Sequence, residues 1–136
     1  MDDCIFCKIV KGEIPSYKVY EDDKVFVFLD IKPLSKGHTL VLPKEHYENI
    51  LDIPEDLYAY MARIVKRVSD NIYKKYNPSG ILINQNNGKM AGQEVFHAHI
   101  HIKPIYPDTP TFTEINLRKV FSKEEMESFV KDLSFK

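Results

Sequence analysis

The stretch QEVFHAHIHI, residues 93–102, holds three of the chain's five histidines, at 97, 99 and 101, with apolar residues between them. Imidazole attacks electrophiles when neutral, carries charge near physiological pH and binds transition metals. Read as a β-strand, the alternation sends His97, His99 and His101 to one face and Phe96, Ala98, Ile100 and Ile102 to the other. Neighbouring histidines then stand ~6.6 Å apart along the backbone, at a rise of ~3.3 Å per residue. Their rings can converge on a ligand of phosphate size. Two chemistries fit. An H-x-H strand can place two ring nitrogens on one Zn²⁺. Alternatively, a neutral imidazole attacks phosphorus while charged neighbours stabilise the anionic oxygens. The upstream run NNGKMAGQ, residues 86–93, carries glycines and amides. A loop of that composition offers N–H groups to phosphate oxygens and favours the second chemistry.

A second group of reactive residues lies at the N-terminus. Cys4 and Cys7 form C-x-x-C, which is half of a zinc site. A redox role would want the pair after a strand in a βαβ unit, and no strand can precede residue 4.

The elements that must position these residues are readable in outline. Residues 4–11 form a short turn or helix. Tyr17–Glu21 and Lys24–Leu29 read as two strands of a hairpin broken by Asp22-Asp23. Residues 30–37 are a loop with Pro33 and Gly37. Thr39–Leu42 is a strand ended by Pro43. Leu57, Met61, Ile64, Val65, Val68 and Ile72 repeat at helical spacing, so a long helix runs from about Asp52-Pro54 to Asn77-Pro78. Ile81–Ile83 and Phe96–Lys103 read as strands. Ser122 and Glu125 make a capping box ahead of Met126, Phe129, Val130 and Leu133. The expected class is α+β: a mostly antiparallel sheet, one long helix packed on it, and a C-terminal helix.

With 136 residues the expectation is one domain, 1–136, ending in a helical tail at about 122–136. Nineteen Lys+Arg against twenty Asp+Glu provide no field of one sign, so neither nucleic acid nor membrane is an expected partner. No apolar run approaches the ~20 residues of a membrane span. MDDCIFCKIVKGEIP does not read as a signal peptide, which points to the cytoplasm, where Cys4 and Cys7 stay reduced.

The chain resembles the histidine triad family of nucleotide hydrolases and transferases. Its hallmark, His-φ-His-φ-His-φ-φ with φ apolar, reads here His97-Ala98-His99-Ile100-His101-Ile102-Lys103. Only Lys103 departs, at a position expected to touch the strand end and not the chemistry. CIFCKIVKGEIPSYKVYEDD and FLDIKPLSKGHTLVLPKEH carry the resemblance through most of the chain. It implies a five-stranded antiparallel sheet in each of two subunits, joined as a homodimer. It implies hydrolysis or transfer at the α-phosphorus of a purine nucleotide conjugate, with no redox cofactor. Candidate substrates are phosphoramidates, aminoacyl adenylates and dinucleoside polyphosphates.

The same resemblance makes His99 the nucleophile of a nucleotidyl-histidine intermediate. His101 and His38 are its phosphate-contacting partners, and His97 its neighbour. Gln93, Asn86 and Gly92 fall on the phosphate side. Asp30 accepts the ribose hydroxyls, and Phe6, Phe28, Ile31 and Leu40 wall the base. Relatives with this N-terminus bind structural Zn²⁺, which here implies Cys4, Cys7, His46 and His97 as ligands. Glu94 stands where relatives often carry a hydroxyl residue, an acid beside an anionic substrate.

Overall fold

The computed structural model describes residues 3–110 and 120–134. Cys4 caps helix α1, Ile5–Val10, by accepting the Cys7 N–H at 3.3 Å, and buries Phe6, Cys7 and Ile9. Strands β1, Lys18–Glu21, and β2, Val25–Leu29, form the expected hairpin, with an irregularity between Lys18 and Tyr20. Its turn is knotted by Asp22, whose carboxylate accepts the Lys24 and Val25 N–H groups and the Tyr20 and Tyr60 hydroxyls. Strand β3, Thr39–Pro43, keeps Pro43 as its last paired residue, opposite Val25.

Helix α2, Glu55–Tyr76, follows the predicted stripe. Glu55 and Asp56 complement its positive end, Lys74 and Lys75 its negative one. Asn77 ends it in the left-handed conformation at φ 45°. Strand β4, Gly80–Asn84, a 3₁₀ turn at Lys89–Ala91, strand β5, Ile100–Ile105, and helix α3, Lys123–Leu133, complete the order. The Ser122–Glu125 capping box is formed on both sides. Residues 135 and 136 of the expected tail lie outside the described residues.

The sheet runs β1-β2-β3-β5-β4 with every pairing antiparallel. Alternation gives each strand two duties. Val25, Val27, Val41, Ala98, Ile100 and Ile102 pack with Met61, Ile64 and Val65 of α2. Phe26, Phe28, Leu40 and Leu42 pack on the other face with Phe6 and Ile9 of α1. Hence α2 forms the main core and α1 seals a smaller one.

One strand boundary differs from expectation. The ladder of β5 begins at Ile100, not Phe96. The ladder ends at the Val41–Ile100 pair, two residues short of the end of β3 at Pro43, because the residues before Ile100 bond elsewhere. The Ala98 N–H reaches the Tyr47 carbonyl at 2.7 Å, and the His97 ring reaches the Pro43 carbonyl at 2.8 Å. Phe96 accordingly stays 42% exposed instead of entering the core.

Candidate functional site

The three histidines of the opening stretch leave the chain on the α1 side of the sheet, yet they serve two places. His97 is fully buried. Its Nε2–H donates to the Pro43 carbonyl, which leaves the Nδ1 lone pair facing sulfur: Cys4 Sγ at 3.4 Å and Cys7 Sγ at 3.5 Å. His46 Nδ1 stands 3.4 Å from Cys7 Sγ. The four donor atoms of Cys4, Cys7, His46 and His97 lie within 4.8 Å of one another. Ligands at ~2.3 Å (S) and ~2.05 Å (N) from a tetrahedral centre sit ~3.6 Å apart, so this set fits Zn²⁺. Burial and the adjacent Cys4 push the Cys7 thiol up to about 11, so as a bare thiol it stays protonated at neutral pH. Two sulfurs and two imidazoles close such a site and leave no position for a reacting water.

His99 is 8% exposed and opens on a cavity of about 450 Å³. Its Nδ1–H donates to the His97 carbonyl at 2.7 Å. The neutral ring therefore carries its lone pair on Nε2. The edge of Phe6 holds the same ring, centroid to centroid 5.0 Å. Thus the 97 position binds with its side chain at one site and orients the neighbouring histidine with its backbone.

His38 and His101 form a wired pair. The Leu34 N–H donates to His38 Nδ1 at 2.9 Å. That fixes the His38 proton on Nε2, which donates to His101 Nδ1 at 3.0 Å. His101 in turn carries its proton on Nε2 and lines the cavity beside His99, ring centroids 5.0 Å apart. Burial holds both rings below the usual histidine range, His101 at about 4. Asp30 Oδ2 lies 3.6 Å from His38 Nε2. Asp30, His38 and His101 are close enough to suggest a metal. The Leu34 amide argues against one, because a neutral His38 cannot accept that N–H and bind a cation at Nε2.

The rest of the cavity comes from four elements. Phe6 of α1, Phe28 of β2 and Leu40 of β3 are buried in its wall; Ile31 stands 74% exposed at the mouth beside Asp30. Asn86, Gly92 and Gln93 line the loop side. Gly92 sits at φ 90°, and a Cβ there would lie 2.7 Å from Asn86 Nδ2, so the close approach requires glycine. Asn86 spends its amide on the Ala91 carbonyl at 2.6 Å. Gln93, 3% exposed, accepts the Gly88 N–H and donates to the Glu48 and Val95 carbonyls. Its amide shapes the loop, whose Gly88, Ala91, Gly92 and Gln93 N–H groups are all bonded to acceptors within the loop and not offered to the cavity as the sequence suggested. Glu94 lies on the rim.

Asn84 and Lys103 are among the wall residues that escaped the sequence reading. Asn84 pairs with His101 across β4 and β5, which only the register reveals. Lys103 lines the cavity and, as a neighbouring cation, lowers both His38 and His101. It was expected at the strand end, away from the chemistry. Alternation through 99, 101 and 103 was the available signal.

This arrangement has relatives. The HIT domain description matches residues 11–108. The chain belongs to the HIT family. A protein named adenosine 5'-monophosphoramidase HNT1 from Candida albicans is 41% identical over 105 residues, 74% of this chain and 69% of that one. A solved structure from Streptococcus mutans is similar at TM-score 0.87 and 39% identity, covering 98% of this chain and 84% of that chain. A Zn-bound histidine triad family protein from Mycobacterium smegmatis matches at TM-score 0.77 and 34% identity, covering 96% of this chain and 92% of that chain. Among the described residues no helix of this HIT protein is long and apolar enough to cross a membrane.

Proposed function

We propose that this protein hydrolyses a purine nucleotide conjugate at its α-phosphorus through a nucleotidyl-histidine intermediate on His99. The observation that carries the reading is the 2.7 Å hydrogen bond from His99 Nδ1 to the His97 carbonyl, which leaves a neutral Nε2 facing the cavity. The relative from Candida albicans is named for cleavage of an adenosine phosphoramidate, which supports the same class of substrate.

In the proposed reaction the apolar slot of Phe6, Phe28, Leu40 and Ile31 takes the base, and Asp30 accepts the ribose hydroxyls. His99 Nε2 attacks phosphorus, and the bond to the leaving group breaks. The departing atom takes the electron pair and a proton from solvent water that enters the open mouth of the cavity. His101 Nε2–H is placed to give a hydrogen bond to the phosphoryl oxygens or to the leaving atom. The imidazole gains positive charge as it bonds phosphorus, and the His97 carbonyl on Nδ1–H stabilises that charge. Water then attacks the intermediate and gives up a proton to solvent, the N–P bond breaks with its electron pair returning to His99 Nε2, the nucleoside monophosphate leaves, and His99 returns neutral.

Cys4, Cys7, His46 and His97 would hold Zn²⁺ as a structural ion. Bound there, it fastens α1 to the sheet and supplies no Lewis acid to the substrate. The whole chain acts as one domain with a helical tail, works in the cytoplasm and forms a homodimer. The dimer joins through β4, an edge strand whose Leu82 and Ile83 are each about half exposed.

His99→Ala assayed with adenosine phosphoramidate tests the reading. Loss of roughly three orders of magnitude or more in kcat, with nucleoside monophosphate binding retained, is expected for a lost nucleophile. Unchanged turnover overturns it. Binding without turnover in the unaltered protein would make this a nucleotide-binding module instead.

A further inference from the structure

Two apolar surfaces of this chain face no partner among the described residues. One is on α3, where Met126, Phe129, Val130 and Leu133 share a face by their three- and four-residue spacing. No residue of that helix is buried. Phe121 packs edge-on against Phe129, ring centroids 5.2 Å apart, and widens the patch. An isolated helix of this length is marginal in water. Its capping box secures only the first turn, so α3 requires a surface to lie on.

The other is a groove of about 530 Å³ on the α2 side of the sheet, opposite the His99 cavity, lined by Val19, Leu29, Ile64, Val68, Ile72 and Tyr76. Lys36, Arg67 and Lys75 stand around it. Lys36 Nζ lies 4.2 Å over the Tyr76 ring, and among the described residues none of the three cations pairs with a carboxylate. Helix α3 supplies Glu124, Glu125, Glu127 and Asp132 against Lys123 and Lys131. Apolar stripe meets apolar groove, and acidic flank meets basic rim.

The chain leaves β5 beside this groove, where the Tyr106 hydroxyl donates to the Lys36 carbonyl at 2.8 Å. Even so, its own α3 does not cover it. The alignment with the Streptococcus mutans structure covers 98% of this chain, a span that takes in α3. We propose that the groove beside α2 receives helix α3 of a second copy of this chain, each copy giving its helix to the other. A two-fold pair makes this contact twice, as a self-complementary interface must. The proposal does not depend on the catalytic reading, since the groove and the cavity lie on opposite faces.

The test uses the full chain with zinc present. Chains carrying Val68→Cys are mixed with chains carrying Val130→Cys and treated with a short bis-maleimide, and the linked peptides are mapped by mass. Inter-chain links between positions 68 and 130 are expected, forming roughly tenfold or more faster than in a control mixture of Glu55→Cys and Val130→Cys chains, the gain that a high effective concentration gives. Equal rates in both mixtures overturn the proposal. So does a link that forms only within one chain of the Val68→Cys/Val130→Cys double variant at high dilution, which would place each helix on its own groove. Hydrogen exchange gives an independent readout: protection of α3 is expected to fall in Val68→Asp, and unchanged protection also overturns the proposal.

Discussion

At His99 a backbone carbonyl, not a second side chain, decides which nitrogen carries the lone pair, and at His101 a backbone amide two hydrogen bonds removed does so. The Leu34 N–H fixes His38, and His38 fixes His101. Leu34→Pro deletes that N–H, whereas Leu34→Ala keeps it. The expected result is a fall of roughly tenfold in kcat for the proline variant alone, the size of one lost positioning hydrogen bond of ~1.4 kcal/mol. Equal activity in both would show that the amide has no part in the wiring. Because burial holds His38, His99 and His101 below the usual histidine range, His101 at about 4, the acid limb of kcat/KM should lie below the ordinary histidine value. Removing a neighbouring cation makes protonation easier, so Lys103→Leu should move that acid limb upward. A half-loss near the ordinary histidine value of about 6.5 in the unaltered protein contradicts this. Glu94→Ser removes a rim anion, and kcat/KM for an anionic phosphoramidate should rise several-fold, about what ~1 kcal/mol of screened repulsion is worth.

Among the elements, α1 has the greatest consequence for its size. Its six residues bring Cys4 and Cys7 to His46 and His97 and place Phe6 on the His99 ring. Chelation of a bound ion, or Cys7→Ala, should therefore lower the melting temperature and raise KM, because the wall of the base slot loosens. A fall in kcat with KM unchanged would contradict that role. The helices and their caps were legible in the residues themselves: the α2 stripe, Asn77 at its end, and Ser122 with Glu125 are local signals. The start of β5 was not, because it depends on carbonyls of Pro43 and Tyr47 far away in sequence. Asn84 and Leu34 were invisible for the same reason. Each acts through a partner chosen by register or by loop closure, and neither residue type announces that partner.

Across the whole molecule, alternate side chains along the segment that leads into β5 have different proposed work, metal at His97 and phosphate chemistry at His99 and His101, while α2 backs the sheet from behind. Burying neutral imidazoles also links stability to pH. His101 binds its proton less readily folded than unfolded, so its contribution is fully present above about pH 6.5 and is lost as pH falls towards 4. The melting temperature should fall through that window before the carboxylates titrate. Ile83→Lys on the exposed edge of β4 should yield a monomer by light scattering, and a persisting dimer would place the subunit contact elsewhere. The central claim is covalent, and mass measurement tests it most directly. Protein mixed with an adenosine phosphoramidate, quenched in alkali within one turnover and digested, should carry one adenylyl group on the peptide at His99. The adduct at any other residue, or turnover with no adduct at all, would contradict it.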